Sequence, residues 1–141
     1  MSQINETGLK CFDTAAAIGQ YLRVKGSSAG VVAVAGAGDV ALGITEEATF
    51  AASKPVSVRL KTAPGTRKMV ANGAVTVFAP VYAAASGKVG TTGSVYEGIA
   101  LEAASGDGSI FEVLPGPSDP ANGGGTTTVA AAGSTIADAA A

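Results

Sequence analysis

The side chains able to do chemistry are few, and their spacing limits what they can do. Glu46 and Glu47 are adjacent. In a strand they point to opposite faces and in a helical turn they diverge, whereas a glycosidase needs two carboxylates converging across several ångströms. Glu47 and Glu102 hold matching places in an internal repeat, where hydrogen bonding to a turn backbone suits them better than a catalytic pairing. Asp107-Gly-Ser lacks the ligand density of a calcium loop and reads as part of a hairpin turn over Ser105 to Ser109. Gly36-Ala-Gly38 suggests a nucleotide loop, but residue 41 is Ala where the third glycine would fall. A strand pattern follows it, and no Gly-x-x-x-x-Gly-Lys-Ser/Thr occurs; the competing reading is a hairpin turn. Ser-Lys dyads can be drawn from so many pairs that they single out none.

Composition removes further classes. The 141 residues include no His, no Trp and one Cys. Ser-His-Asp and Cys-His nucleophiles, His-ligated zinc and a near-neutral imidazole base are therefore excluded. One thiol makes neither an intrachain disulfide nor a Cys-x-x-Cys site, so Cys11 reads most simply as a small apolar residue, with a free reactive thiol as the alternative. The residues argue against an enzyme, and no cofactor or metal is expected. The longest run without a polar side chain, Ala29 to Gly38, is half the length of a bilayer span. A pI near 5.0 and seven aromatics offer little footprint for nucleic acid. The first residues, Met-Ser-Gln-Ile-Asn-Glu-Thr-Gly, lack the basic and apolar regions of a secretory signal, which predicts synthesis in a cytoplasm.

The elements that must position these residues are short. Val56, Val58 and Leu60 alternate with Ser57, Arg59 and Lys61, the period of a half-buried strand with one basic, wet face. Residues 21–24, 31–35, 40–44, 75–78, 81–83, 95–100 and 110–114 are further strand candidates. Asn72-Gly73 and Asp107-Gly108 are the better tight-turn signals. Thr14 to Gln20 and Glu46 to Ser53 are long enough for one or two helical turns each. Many short strands with this punctuation predict an all-β chain with little helix, a small antiparallel β-barrel or sandwich. The length fits one domain and argues against two cores. Three parts follow: a polar arm at 1–8, a β domain at 9–114 and a Gly/Thr/Ala-rich tail at 115–141, whose composition alone predicts disorder.

Sliding the chain by 55 positions aligns Gly38-Asp-Val-Ala-Leu-Gly-Ile-Thr-Glu-Glu-Ala48 with Gly93-Ser-Val-Tyr-Glu-Gly-Ile-Ala-Leu-Glu-Ala103, and the register runs on to Val58 and Val113. The repeat reads as a strand ending in Gly-Ile, a connection through Glu-Ala and a returning strand, two such units wrapping one core. Charge is segregated as well: no acid falls between Ala48 and Tyr96, where Lys54, Arg59, Lys61, Arg67, Lys68 and Lys88 lie. This pattern suits contacts with neighbouring subunits, the competing reading being a solvated strand face and loop.

The runs Ala15 to Val24, Ala41 to Ala48, Pro55 to Leu60, Ala79-Pro-Val-Tyr-Ala-Ala-Ala-Ser-Gly-Lys-Val89 and Tyr96 to Leu114, with Gly-Ile-Ala-Leu-Glu-Ala and a final Gly-Ser-Ile-Phe-Glu-Val-Leu, resemble the small capsid cement, or head decoration, proteins of tailed bacteriophages. The likeness spans about residues 9–114. It implies a structural protein, largely β and without catalytic residues, on the outer surface of an expanded icosahedral shell. Its partners would be the major capsid protein and copies of itself, as a trimer or dimer, with no nucleic acid or membrane. The candidates for capsid contact are Ile4 and Asn5 in the arm and the basic residues Arg59, Lys61, Arg67 and Lys68. A tail or fibre component or an adhesin domain would share the short strands, and a hydrolytic enzyme is the third class considered.

Overall fold

Val56 and Val58 turn inward from one strand while Ser57 and Arg59 turn away, and the same period-two logic builds the rest of the chain. The computed structural model describes residues 7–116. Among them ten strands follow in order: β1 Leu9–Thr14, β2 Arg23–Ser28, β3 Val31–Val34, β4 Gly43–Thr45, β5 Pro55–Leu60, β6 Arg67–Val70, β7 Pro80–Ala83, β8 Val89–Gly90, β9 Tyr96–Ala100 and β10 Ile110–Leu114. A 3-10 turn at Ala85–Gly87 accompanies them. The described residues are all-β, as the alternation predicts. The predicted arm and the tail beyond Gly116 lie outside the described residues, together with Ile4 and Asn5.

Strands β1 to β5 close a barrel in the order β1-β3-β2-β4-β5. Its pairs are antiparallel except β1 with β3, where Asp13 faces Val31 and Thr14 faces Val32 in parallel. Strands β6 to β10 form a second sheet, β6-β10-β9-β7-β8. Its two edge strands meet at a single parallel bridge, Ala71 with Val89. The order is that of the first barrel, strand for strand, so the duplication covers the whole domain. The offset is 55 in the last two strands of each half, as in Gly43 and Gly98, and 57 in the first three, as in Val24 and Val81. The bridge Ile18–Thr49 in the first half returns as Val75–Ala104 in the second. Tyr21 and Phe78, at φ 60° and 66°, repeat a left-handed backbone that aromatic residues rarely adopt.

The two segments read as helical turns pair with each other instead. Ile18 donates to the Thr49 carbonyl at 3.2 Å and Thr49 returns a bond to Ile18 at 2.8 Å. One or two turns are too short to offset helix nucleation, and pairing satisfies the same backbone groups. Residues 75–78 are also not a strand, since the backbone turns left-handed at Phe78. Asn72-Gly73 does not close a hairpin: the Asn72 N–H donates to Val89 in the adjoining strand.

Two clusters replace the single core expected from chain length. Ile18, Val24, Val32, Val56 and Val58 fill the first barrel; Met69, Val81, Val89, Phe111 and Val113 fill the second. Ile44 of the first half belongs to the second cluster, and so joins the halves. Gly43 and Gly98 let the neighbouring strands of their sheets close in. A Cβ at Gly43 would lie 2.1 Å from the Arg59 carbonyl oxygen, and one at Gly98 2.3 Å from that of Leu114, equivalent clashes with backbone that cannot move aside.

Candidate functional site

The basic residues picked from the sequence come together, but at the junction of the two halves and not across one open face. Arg59 leaves β5 on its outward side, opposite Val58, while Arg67 and Lys68 lie on β6. With Tyr21, Thr66 and Glu112 they line a cleft of about 290 Å³. Lys61, in the connection between the halves, lines an adjacent opening with Arg67 and Glu97. Arg67 is buried, and its Nη2 donates to the Lys61 carbonyl at 2.8 Å. Burial lowers its pKa from the usual arginine value, and the charge of Arg59 lowers it further. Arg59 Nη2 donates to the Pro64 carbonyl at 2.7 Å. The two guanidiniums thus brace the connecting segment and form the floor of the cleft, while Lys68 is exposed to solvent.

The buried ion pair in the junction involves residues that the sequence did not single out. Arg23, with no exposed surface, donates Nε to Glu97 Oε1 at 2.8 Å, Nη1 to the Gly36 carbonyl at 3.2 Å and Nη2 to the Asp39 carbonyl at 2.6 Å. Lys61 Nζ stands 3.7 Å from the other Glu97 oxygen. Arg23 is on β2 and Glu97 on β9, so a buried ion pair ties barrel to sheet. The equivalent positions in the repeat are Pro80 and Leu42, neither charged.

Glu47 and Glu102 each accept a hydrogen bond from a backbone N–H of the returning strand, that of Ser57 at 3.2 Å and that of Glu112 at 3.1 Å. Their recurrence in the sequence is thus a turn device used twice. Gly36-Ala-Gly38 is likewise a closed turn, with the Asp39 carboxylate accepting from the Gly36 N–H at 2.7 Å and from Lys25 Nζ at 2.7 Å. Cys11 corrects its simplest reading, for it is exposed on β1 and not packed in a core. Among the described residues no three His, Cys, Asp or Glu side chains group as metal ligands.

Lys25, first, and the Gly36 N–H hold the Asp39 carboxyl below the ordinary carboxylate range. Since the folded pKa is the lower one, this stabilisation is complete above the unfolded value. It fades as pH falls through the folded value. Asp39→Asn is expected to be less stable than the wild type at neutral pH and to converge with it in acid. Melting temperatures of both proteins across that range check this, and parallel curves would contradict it.

Large apolar side chains also face water. Phe50, in the β4–β5 connection, is 94% exposed, and Phe78 is 72% exposed. These are two of only four phenylalanines in the chain. No protein-family model matches this sequence, and a search of curated proteins finds no match.

Proposed function

We propose that this chain is a structural virion protein, a cement that binds the outer surface of an expanded icosahedral phage capsid as an oligomer and stabilises contacts between major capsid protein subunits. The most specific segments of the resemblance to decoration proteins support the reading, because they gather in one sheet: Pro80–Ala83, Val89–Gly90, Tyr96–Ala100 and Ile110–Leu114 are its adjoining strands. The observation that carries it furthest is the exposure of Phe50 and Phe78. A chain poor in large apolar groups gains nothing in folding by placing two of its phenylalanines in water, whereas an association surface uses them.

On this reading Lys68 and Lys61 meet acidic groups of the shell, and Ile4 and Asn5 of the polar arm add contacts to the major capsid protein. The protein acts by binding, without turnover, on the virion exterior. Counting its copies in purified virions tests the proposal. A number proportional to that of the major capsid protein is expected. A low number that follows the tail would overturn the proposal in favour of a tail or fibre component.

A further inference from the structure

The two halves of the chain bury equivalent positions unequally, and the inequality has a direction. On the outer face of the first barrel, Arg23, Ile44 and Arg59 form a row across β2, β4 and β5 by direct cross-strand register. The second half covers this row: Ile44 sits in its core cluster, Arg23 meets its Glu97, and Tyr21 packs against it from the side. The repeat-equivalent row in the second half is Pro80, Ile99 and Leu114, aligned across β7, β9 and β10. It is apolar and flanked by Phe78 at the place of Tyr21. Leu114 is 46% exposed, and Ile99 and Pro80 are half-buried.

The covering face shows the same inequality in reverse. In the second half Gly87 and Glu97 approach the first half. A Cβ on Gly87 would lie 3.0 Å from the Arg23 carbonyl oxygen, from Leu22 and from Val34, and the Gly87 N–H donates to Ala35 at 2.8 Å. The equivalents in the first half are Gly30 and Leu42. Around Gly30 a Cβ would meet nothing within 4 Å, and Leu42 is 42% exposed. The junction is therefore not a two-fold one, in which both sets would be buried alike. It is heterologous, and among the described residues one face of each kind is left partly exposed. Where the intrachain junction is charged, through Arg23 and Glu97, the unused faces are apolar, with Pro80 and Leu42 in those places.

We infer that a second copy of this chain fills the unused faces: the first half of one copy packs through Gly30 and Leu42 onto the Pro80–Ile99–Leu114 row of the next, repeating head to tail the junction already made within the chain. Such contacts propagate until rotation closes them into a ring. The inference rests on the repeat and is independent of any capsid.

Complementation between two full-length variants tests it, read by size-exclusion chromatography with light scattering. Leu114→Asp charges one face and Leu42→Asp the other; both side chains already touch water, and circular dichroism checks that the variants fold. If either fails to fold, Phe78→Asp and the milder Leu42→Asn address the same two faces. The wild type is expected to form assemblies larger than a dimer. Each variant alone should self-associate about 30-fold more weakly or worse, as at an interface hot spot. Mixing the two should give a one-to-one heterodimer and nothing larger, because each variant keeps one intact face. A wild type that is monomeric at the highest soluble concentration, as expected if residues 117–141 of the same chain cover the row, overturns the inference. So does a mixture in which the variants fail to pair, or self-association that neither substitution weakens.

Discussion

Glu97→Ala is expected to lower the unfolding free energy by about 3–5 kcal/mol, the range for removing one partner of a buried ion pair. Arg23 has no exposed surface, and its Nη atoms are held by the Gly36 and Asp39 carbonyls. It cannot reach water without opening the junction. The substitution leaves a buried guanidinium facing a cavity, with further cations, Lys61 and Arg67, near the old carboxylate. Replacing both partners is a different experiment. Arg23→Met with Glu97→Leu puts apolar groups where the repeat has Pro80 and Leu42, and it is expected to fall within about 1 kcal/mol of the wild type or above it. The half-exposed pair Lys25–Asp39 provides a scale, since Lys25→Ala should change stability far less than Glu97→Ala. Denaturant unfolding measures all of these. Glu97→Ala within about 1 kcal/mol of the wild type would show that the ion pair does not hold the halves together.

Phe111→Ala is the second large effect, at about 3–5 kcal/mol for emptying a buried phenyl site. Phe111 is fully buried on β10, registered against Met69 of β6, in the cluster that also receives Ile44. Its repeat equivalent is Val56, which faces Phe12 across β1 and β5. The large side chain thus sits on opposite strands in the two halves. Phe111→Val is expected to lose less than Phe111→Ala but still to be destabilised, because Met69 cannot fill the space that Phe12 fills in the barrel. Loss of stability by Phe111→Ala below about 1 kcal/mol would mean that the second cluster is not packed as described.

The strands with clean alternation were legible in the sequence, Pro55–Leu60 best of all, and so was the β class. Leu9–Thr14 and Arg67–Val70 were not. Lys10 and Lys68 interrupt their apolar residues, and each strand is recognisable only by the strand it pairs with, β5 or β10. The repeat was visible where its register runs unbroken, from Gly38 to Val58. Its first three strands escaped because the connection between β3 and β4 is two residues longer than its counterpart, shifting the offset from 57 to 55. Arg23 and Glu97 gave no local signal. Arg23 sits on the outward side of its strand, opposite Val24, and is buried only because the other half docks there. The basic cluster was legible as a set, since charge segregation is a property of composition. That Arg67 lies beneath the junction is a property of packing, which spacing along one strand does not reveal.

The central claim, that the protein cements a capsid, is tested most directly by mixing the purified full chain with undecorated expanded shells and imaging them. Saturable density on the outer surface at local two-fold or three-fold positions is predicted, with shells that resist heat better once decorated. Phe50→Ser, altering a side chain that is 94% exposed and so leaving the fold within about 0.5 kcal/mol of the wild type, should weaken that occupancy. Expanded shells that remain bare at saturating protein would contradict the account.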